Sequence, residues 1–300
     1  MITLASDFGE PYPAAMRGVL LRRSDARLAD VSHDLPRGDV RGSAFWLRFL
    51  LPEFPPAVHL VVVDPGVGTD RDAIVLRAGD HALVGPDNGV LLPAARALAA
   101  GVRASDRGSV VGPGAANVSD PDAASVAEPD AESDAREADD ASGTVSTTSM
   151  SHVDAFRIRV PDPASSTFHG RDVFAPAAAT AHDTGVDDLS SASIFQPIDE
   201  VVDLALPPAR IEDDRAEGEV LAVDDFGNVI TNVPGSFLRE AETVHVDGDP
   251  TPVGATFASV PRGQRLVTVG SHGYLECDVN DGRGAEAFDL AAGDPVRVER

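Results

Sequence analysis

Apolar positions along the first 185 residues follow two alternating rhythms. Short runs rich in Val, Ile, Leu and Ala at residues 3–6, 27–31, 58–63, 73–77, 81–84 and 153–158 have the length and side-chain types of strands. Between them, segments 14–23, 40–49, 91–100 and 175–182 repeat apolar residues at helical spacing. This alternation predicts an α/β domain over residues 1–185, with a mostly parallel sheet covered by helices. From residue 216 to 300 the rhythm changes to short strands separated by Gly, Pro and Asp, which predicts an all-β, barrel-like domain. Residues 186–215 carry Pro197, Pro207 and Pro208 among scattered acids and read as an extended linker. Residues 104–152 contain no aromatic side chain and are dominated by Asp, Glu, Ala, Ser and Gly. Such a segment buries too little apolar area to offset the entropy of ordering it, and reads as a disordered acidic insertion in the first domain.

Polar turns follow three of the expected strands. Val61, Val62 and Val63 suit a strand covered on both faces, and Asp64-Pro65-Gly66-Val67-Gly68-Thr69-Asp70-Arg71 ends it at once. In open α/β sheets, ligands bind at that carboxyl edge. A second turn, Ser166-Thr167-Phe168-His169-Gly170-Arg171-Asp172, sets a histidine before a helix, and a third, Gly85-Pro86-Asp87-Asn88-Gly89, follows another strand. Taken singly, Asp64 reads as a turn initiator, Arg71 as a solvated charge and His169 as a helix-entry residue. Taken together, they mark a site.

Charge and composition narrow its chemistry. Against 49 acidic residues stand 24 basic ones, for a net charge of −25, and every one of the 24 is arginine. An acidic surface repels nucleic acid and anionic membranes, which argues against both as partners. The acid excess, with arginine in place of lysine, fits a protein working in high salt, where counterions screen self-repulsion. Lacking lysine, the chain cannot form a G-x-x-x-x-G-K-[ST] phosphate loop, a pyridoxal Schiff base or a lysine general base. Cys277 is the single cysteine and alternates with Leu275 and Val279 on one strand face, which predicts a core thiol and excludes an intrachain disulfide. No apolar run approaches the roughly 20 residues of a membrane span, and no basic leader precedes Ile2, so a soluble cytoplasmic protein is expected.

Six motifs carry a family resemblance. Ser6-Asp7-Phe8-Gly9, Asp64-Pro65-Gly66-Val67-Gly68-Thr69, Gly85-Pro86-Asp87-Asn88-Gly89, Thr167-Phe168-His169-Gly170-Arg171-Asp172, Asp225-Phe226-Gly227-Asn228-Val229-Ile230-Thr231-Asn232 and Ser271-His272-Gly273-Tyr274-Leu275 occur in this order. The chain thereby resembles the S-adenosylmethionine hydroxide adenosyltransferases, hydrolytic relatives of the fluorinating and chlorinating enzymes. The resemblance implies attack of water or hydroxide on the 5′ carbon of S-adenosylmethionine, giving adenosine and methionine without a cofactor. It implies that Asp64, Arg71 and His169 are catalytic and that Asp7 accepts hydrogen bonds from the ribose hydroxyls. Phe226 would stack on adenine and Asn228 read its edge, Asp224 and Ser271 would meet the methionine amine and carboxylate, and Tyr274 would join the substrate-binding residues. It further implies a homotrimer with sites between subunits. Many relatives have Arg or Phe where this chain has His272, a departure at the methionine end, and Phe226-Gly227-Asn228 also reads as a tight turn between strands.

Three rival functions bear on the same residues. In the related halogenases the position of Asp64 is aromatic and the Arg and His partners are not kept, so retention of all three favours hydrolysis. A non-catalytic protein binding S-adenosylmethionine or adenosine would need the pocket motifs but not the triad. A metal hydrolase could draw on Asp7, Asp64, His169 and Asp172, yet no two of these share the spacing of an H-E-x-x-H pair.

Overall fold

The computed structural model describes residues 1–101, 153–159 and 164–300, and the expected insertion at 104–152 lies outside the described residues. The first sheet is built from β1 (Ile2–Ser6), β2 (Leu28–Ser32), β3 (Val58–Val62), β4 (Ala73–Ala78), β5 (His81–Pro86), β6 (Val153–Ile158) and β7 (Phe195–Ile198), in the order β2-β1-β3-β5-β4-β6-β7. Its helices are α1 (Tyr12–Arg23), α2 (Val40–Leu50), α3 (Leu92–Ala99) and α4 (Ala175–Thr184).

The class is the expected α/β, and the sheet is mixed. Strands β2, β1, β3 and β5 pair in parallel, whereas β5, β4, β6 and β7 pair antiparallel. The change of direction follows from the link between β4 and β5, which is only Gly79-Asp80. So short a link joins neighbouring strands only antiparallel, because a parallel return needs a crossover of a dozen or more residues. β7 falls within the residues read as linker and adds an edge strand to this sheet.

Alternation along the strands divides the core into two layers. Leu60 and Val62 of β3 face one side, where they pack with Met16 and Leu20 of α1 and the alanines of α4. Val61 and Val63 face the other, against Leu47 of α2 and Ala94 and Leu98 of α3. Being apolar on both faces, the central strands read as continuous hydrophobic runs, and burial of each Val or Leu side chain stabilises the fold by about 1.5–3 kcal/mol.

The second sheet comprises β8 (Arg210–Ile211), β9 (Arg215–Val223), β10 (Val229–Pro234), β11 (Thr243–Val246), β12 (Asp249–Pro252), β13 (Arg265–Val269), β14 (Tyr274–Val279) and β15 (Pro295–Glu299), with the short helix α5 (Gly284–Phe288). The main path runs β12-β11-β15-β9-β10-β14-β13, and β8 pairs with β9. The two ends nearly meet, since Gly254 N donates to Val267 O at 2.9 Å just beyond β12. Val220, Val229, Leu275, Cys277 and Val298 fill the interior. Cys277 is fully buried, as its strand pattern predicts, and burial pushes its thiol above the ordinary range, so it is a core residue.

The two sheets meet through α2. Phe45 and Phe49 pack with Leu221, Ala222 and Ile230, flanked by Trp46 and Tyr274, and Arg41 pairs with Glu219 across the contact. The connecting segment is also docked: Val202 N donates to Asp87 Oδ1 at 2.9 Å, and Asp203 takes both Nη groups of Arg96 at 2.9 and 3.1 Å. Among the described residues, no helix is long and apolar enough to cross a membrane.

One buried group gives the fold a pH dependence. Asp278 is fully buried, accepts from Thr268 Oγ1 at 2.6 Å, and has no hydrogen-bond partner at Oδ1 among the described residues. Burial pushes its carboxyl up to about 7 from 3.8, with repulsion from Glu276 and Asp224 adding to the effect and the Thr268 hydrogen bond opposing it. Between those values the folded chain keeps a proton that the unfolded chain releases, so this group's contribution to stability falls as pH rises, by up to about 1.4 kcal/mol per pH unit. Asp278→Asn should therefore melt progressively higher relative to wild type between pH 5 and 7. A melting-temperature difference that stays constant from pH 5 to 7 would refute this assignment.

Candidate active site

β3 delivers Asp64 to the carboxyl edge of the sheet, and the turn after it brings Arg71 back onto the same carboxylate. Pro65 and the glycines fold the chain through bonds from Val67 N to Asp64 O (3.2 Å), Thr69 N to Gly66 O (3.1 Å) and Thr69 Oγ1 to Gly66 O (2.7 Å). Arg71 then meets Asp64 with two parallel bonds, Nε to Oδ1 at 2.6 Å and Nη2 to Oδ2. Its Nη1 donates to Asp72 O at 3.1 Å, and the guanidinium carbon lies 5.1 Å from the centre of the Phe174 ring. The Asp64 and Arg71 side chains are only 5% and 11% exposed. At that burial the fork-to-fork geometry gives each group hydrogen bonds in place of the water it has lost.

His169 joins them from 98 residues away, with Nδ1 3.1 Å from Arg71 Nη2. Since a guanidinium only donates, Nδ1 accepts, which assigns the proton of the neutral ring to Nε2. The histidine enters a π-helical turn, Gly170–Phe174, that runs into α4. A Cβ on Gly170 would lie 2.9 Å from Met16 Sδ and 3.4 Å from Val62 Cγ1, so the glycine lets this turn press closely against α1 and β3. The neighbouring charges are satisfied locally: Arg171 binds both oxygens of Asp172 at 2.7 and 2.8 Å and stacks on Phe168 at 5.3 Å.

The third polar turn is scaffolding for the first. Asn88 Nδ2 donates to Val63 O at 2.9 Å, pinning the residue before Asp64, and Asp87 N donates to Asp72 O at 2.9 Å, the carbonyl that also holds Arg71. A Cβ on Gly85 would stand 2.4 Å from Val61 O, so this strand end closes on β3 only as glycine. Sequence reading singled out the turn but missed its target, since a backbone carbonyl has no side-chain signature.

Asp7, at the end of β1, accepts from Gly38 N through Oδ2 at 2.7 Å. The second-domain candidates fall in two places, Asp224, Phe226 and Asn228 on the β9–β10 turn beside the end of β14, and Ser271 and Tyr274 at the start of β14 beside the far end of β10. Asp224 accepts from Asn228 N at 2.8 Å and from Asn228 Nδ2 at 2.9 Å, building a rigid turn that leaves Phe226 78% exposed at its tip. Ser271 is exposed as well. Tyr274 stands in the interdomain contact, its hydroxyl accepting from Arg48 Nη1 at 3.3 Å. His272 is buried there too, with Nε2 2.8 Å from Glu276 Oε1 and Nδ1 accepting from Tyr274 N at 3.2 Å. Thus the structure unites Asp64, Arg71 and His169. Among the described residues, no hydrogen bond, ion pair or ring contact ties Asp7 or the second-domain set to that triad. Nor is any group of three or more His, Cys, Asp or Glu arranged to hold a metal ion among them.

Comparison with known proteins places this geometry. Residues 2–109 match the SAM hydroxide adenosyltransferase N-terminal domain, and residues 218–297 match the C-terminal domain of the same family. The chain belongs to the SAM hydroxide adenosyltransferase family. It is 38% identical to a Salinispora tropica protein named (R)-S-adenosyl-L-methionine hydrolase, over 99% of this chain and 97% of that one. A Thermus thermophilus protein of the same name is 35% identical over 98% and 97% of the two chains. Among solved structures, an uncharacterised conserved protein from Thermotoga maritima superposes with a TM-score of 0.72 at 27% identity, covering 100% of each chain. A conserved hypothetical protein from Thermus thermophilus gives 0.63 at 31% identity, over 99% of this chain and 98% of that one. Asp64 and Arg71 fall within the first matched segment, and His169 lies between the two.

The buried ion pair makes a stability prediction independent of activity. Asp64→Asn should destabilise the protein by about 3–5 kcal/mol, because it strands the Arg71 charge, whereas Asp64→Asn combined with Arg71→Gln should recover part of that loss. Denaturant unfolding of the two variants checks this, and a double variant less stable than the single one would contradict it.

Proposed function

We infer that this protein hydrolyses S-adenosylmethionine to adenosine and methionine. The observation that carries the reading is the guanidinium–imidazole pair held by a buried carboxylate at the sheet edge, in a chain aligned almost end to end with proteins named for that activity. In the reaction an oxygen of water bonds to C5′ and the S–C5′ bond breaks. Its electron pair returns to sulfur, so methionine leaves as a neutral thioether, and one proton is released to solvent.

The chemistry accounts for the residue types. A sulfonium leaving group needs no acid, so the barrier lies with the nucleophile, water with a pKa of about 15.7. The Nε2–H of His169 donates to that oxygen, favours hydroxide over water and fixes its line of approach, the Arg71 guanidinium polarises and orients the ring through Nδ1, and Asp64 holds Arg71 in place. No step in this scheme draws on a metal or cofactor. Asp7 takes the ribose hydroxyls, Phe226 and Asn228 the adenine, and Asp224 and Ser271 the methionine end, with Tyr274 behind them. His272, locked to Glu276, supports the wall of that subsite. Phe226, a large aromatic left exposed at the tip of a rigid turn, supports a homotrimer in which the second domain of one chain completes the triad-bearing site of the next. The cytoplasm, where S-adenosylmethionine is made and used, suits the reading.

Two measurements test it. Arg71→Ala and His169→Ala should each lower turnover by roughly two or more orders of magnitude while adenosine still binds, and near-normal turnover in both would refute the assigned roles. Chromatography of the nucleoside product separates hydrolysis from halogenation. Because Asp64 repels a halide at short range, adenosine should be the product even in molar chloride. A chlorinated nucleoside as the main product would reassign the enzyme.

A further inference from the structure

The strand end that carries Asp7 is bolted to its neighbour by a side chain that the proposed reaction leaves unused. β1 and β2 run in register as far as Leu4 opposite Asp30, after which the pairing slips by one residue and Ala5 faces Ser32. Such a bulge re-aims the side chains beyond it. His33 accordingly sits beside the last residue of β1, with Nδ1 2.7 Å from Ser6 Oγ. On the far side of the ring, Nε2 lies 3.0 Å from Arg17 Nη2 and 3.1 Å from Asp30 Oδ1, and Arg17 itself pairs with Asp30 at 2.6 Å. The main chain doubles the joint: Gly9 N donates to His33 O at 2.9 Å, and Leu35 N donates to Ser6 O at 3.1 Å. Five residues past His33, the same loop supplies the amide of Gly38 that holds Asp7 Oδ2.

Hydrogen bonds linking a serine, a histidine and an aspartate invite comparison with a nucleophilic triad, but Ser6 is wholly buried and offers no oxygen to a substrate. Its hydroxyl is a strut. Asp7 is thus held on both sides, through Ser6 and Gly9 by His33 and through its own carboxylate by Gly38, and the Arg17–Asp30 pair keeps the imidazole from turning.

We propose that His33 is a positioning residue that sets the orientation of Asp7 toward a ribose diol, acting through Ser6. The proposal rests on the reading of Asp7 as the ribose ligand, and the test separates the two. Calorimetric titration of the full-length protein with adenosine and with 2′,3′-dideoxyadenosine measures how strongly the diol is recognised. Wild type should prefer adenosine by about tenfold or more, as expected for hydrogen bonds to a charged carboxylate. His33→Ala should shrink that preference several-fold. Ser6→Ala, which removes one oxygen from the joint and leaves the ring in place, should shrink it in the same direction. His33→Asn, whose amide can replace Nδ1 toward Ser6, should restore most of the preference, whereas His33→Gln, which reaches toward Arg17 and Asp30, should not. A merely structural histidine would lower the melting temperature of these variants and leave the preference at its wild-type value, and that result would overturn the proposal. A wild type that fails to distinguish the two nucleosides would instead remove the Asp7 reading, and the proposal with it.

Discussion

A guanidinium at the end of a buried strand stays in place only where a carboxylate meets it atom for atom, and the Asp64–Arg71 pair sets the terms for everything around it. Desolvation makes the pair intolerant of partial occupancy, so the turn between the two residues must bring them back together with little slack. Asn88 pins the carbonyl before Asp64, Asp87 holds the peptide after Arg71, and Gly85 lets β5 approach closely enough for both. His169 then takes its orientation from the same guanidinium. The three side chains are therefore held by one connected set of bonds, and the precision of their placement belongs to the sheet edge as a whole.

The second domain contributes in a different manner. Its residues are held by their own local structure: the Asp224–Asn228 turn is closed by four hydrogen bonds within five residues, and His272, just before β14, is fixed by Glu276 on that strand. Such self-contained elements need no contact with the triad in order to be ready for it. Elements preformed in this way lose little conformational freedom on meeting a ligand.

Much of this was legible in the residue order. The valine run before Asp64 identified a doubly covered strand, and the punctuation by Pro65, Gly66 and Gly68 located its end. The alternation of Leu275, Cys277 and Val279 placed the thiol in the barrel interior. What the sequence did not carry were relations between distant backbones. The direction of β4 depends on a two-residue link whose geometry outweighs the local α/β rhythm, and the roles of the Asp72 carbonyl and the Gly38 amide have no side chain to announce them. Tyr274 and His272 illustrate the same limit, because their packing on Phe45 and Phe49 joins residues more than 200 positions apart.

Helix α2 has one end beside Asp7 and one face on the barrel. Asp39 caps it through Gly42 N, Gly38 just before the cap holds Asp7, and Phe45 and Phe49 further along lie against the second sheet. A helix of 11 residues is about 16 Å long and stiff, so it behaves as a lever. A tilt of about 4° around its far end shifts the near end by about 1 Å, enough to break a hydrogen bond. The seating of the barrel on α2 is thereby converted, through a rigid rod, into the tolerance with which the loop at the opposite end of the helix holds the Asp7 carboxylate.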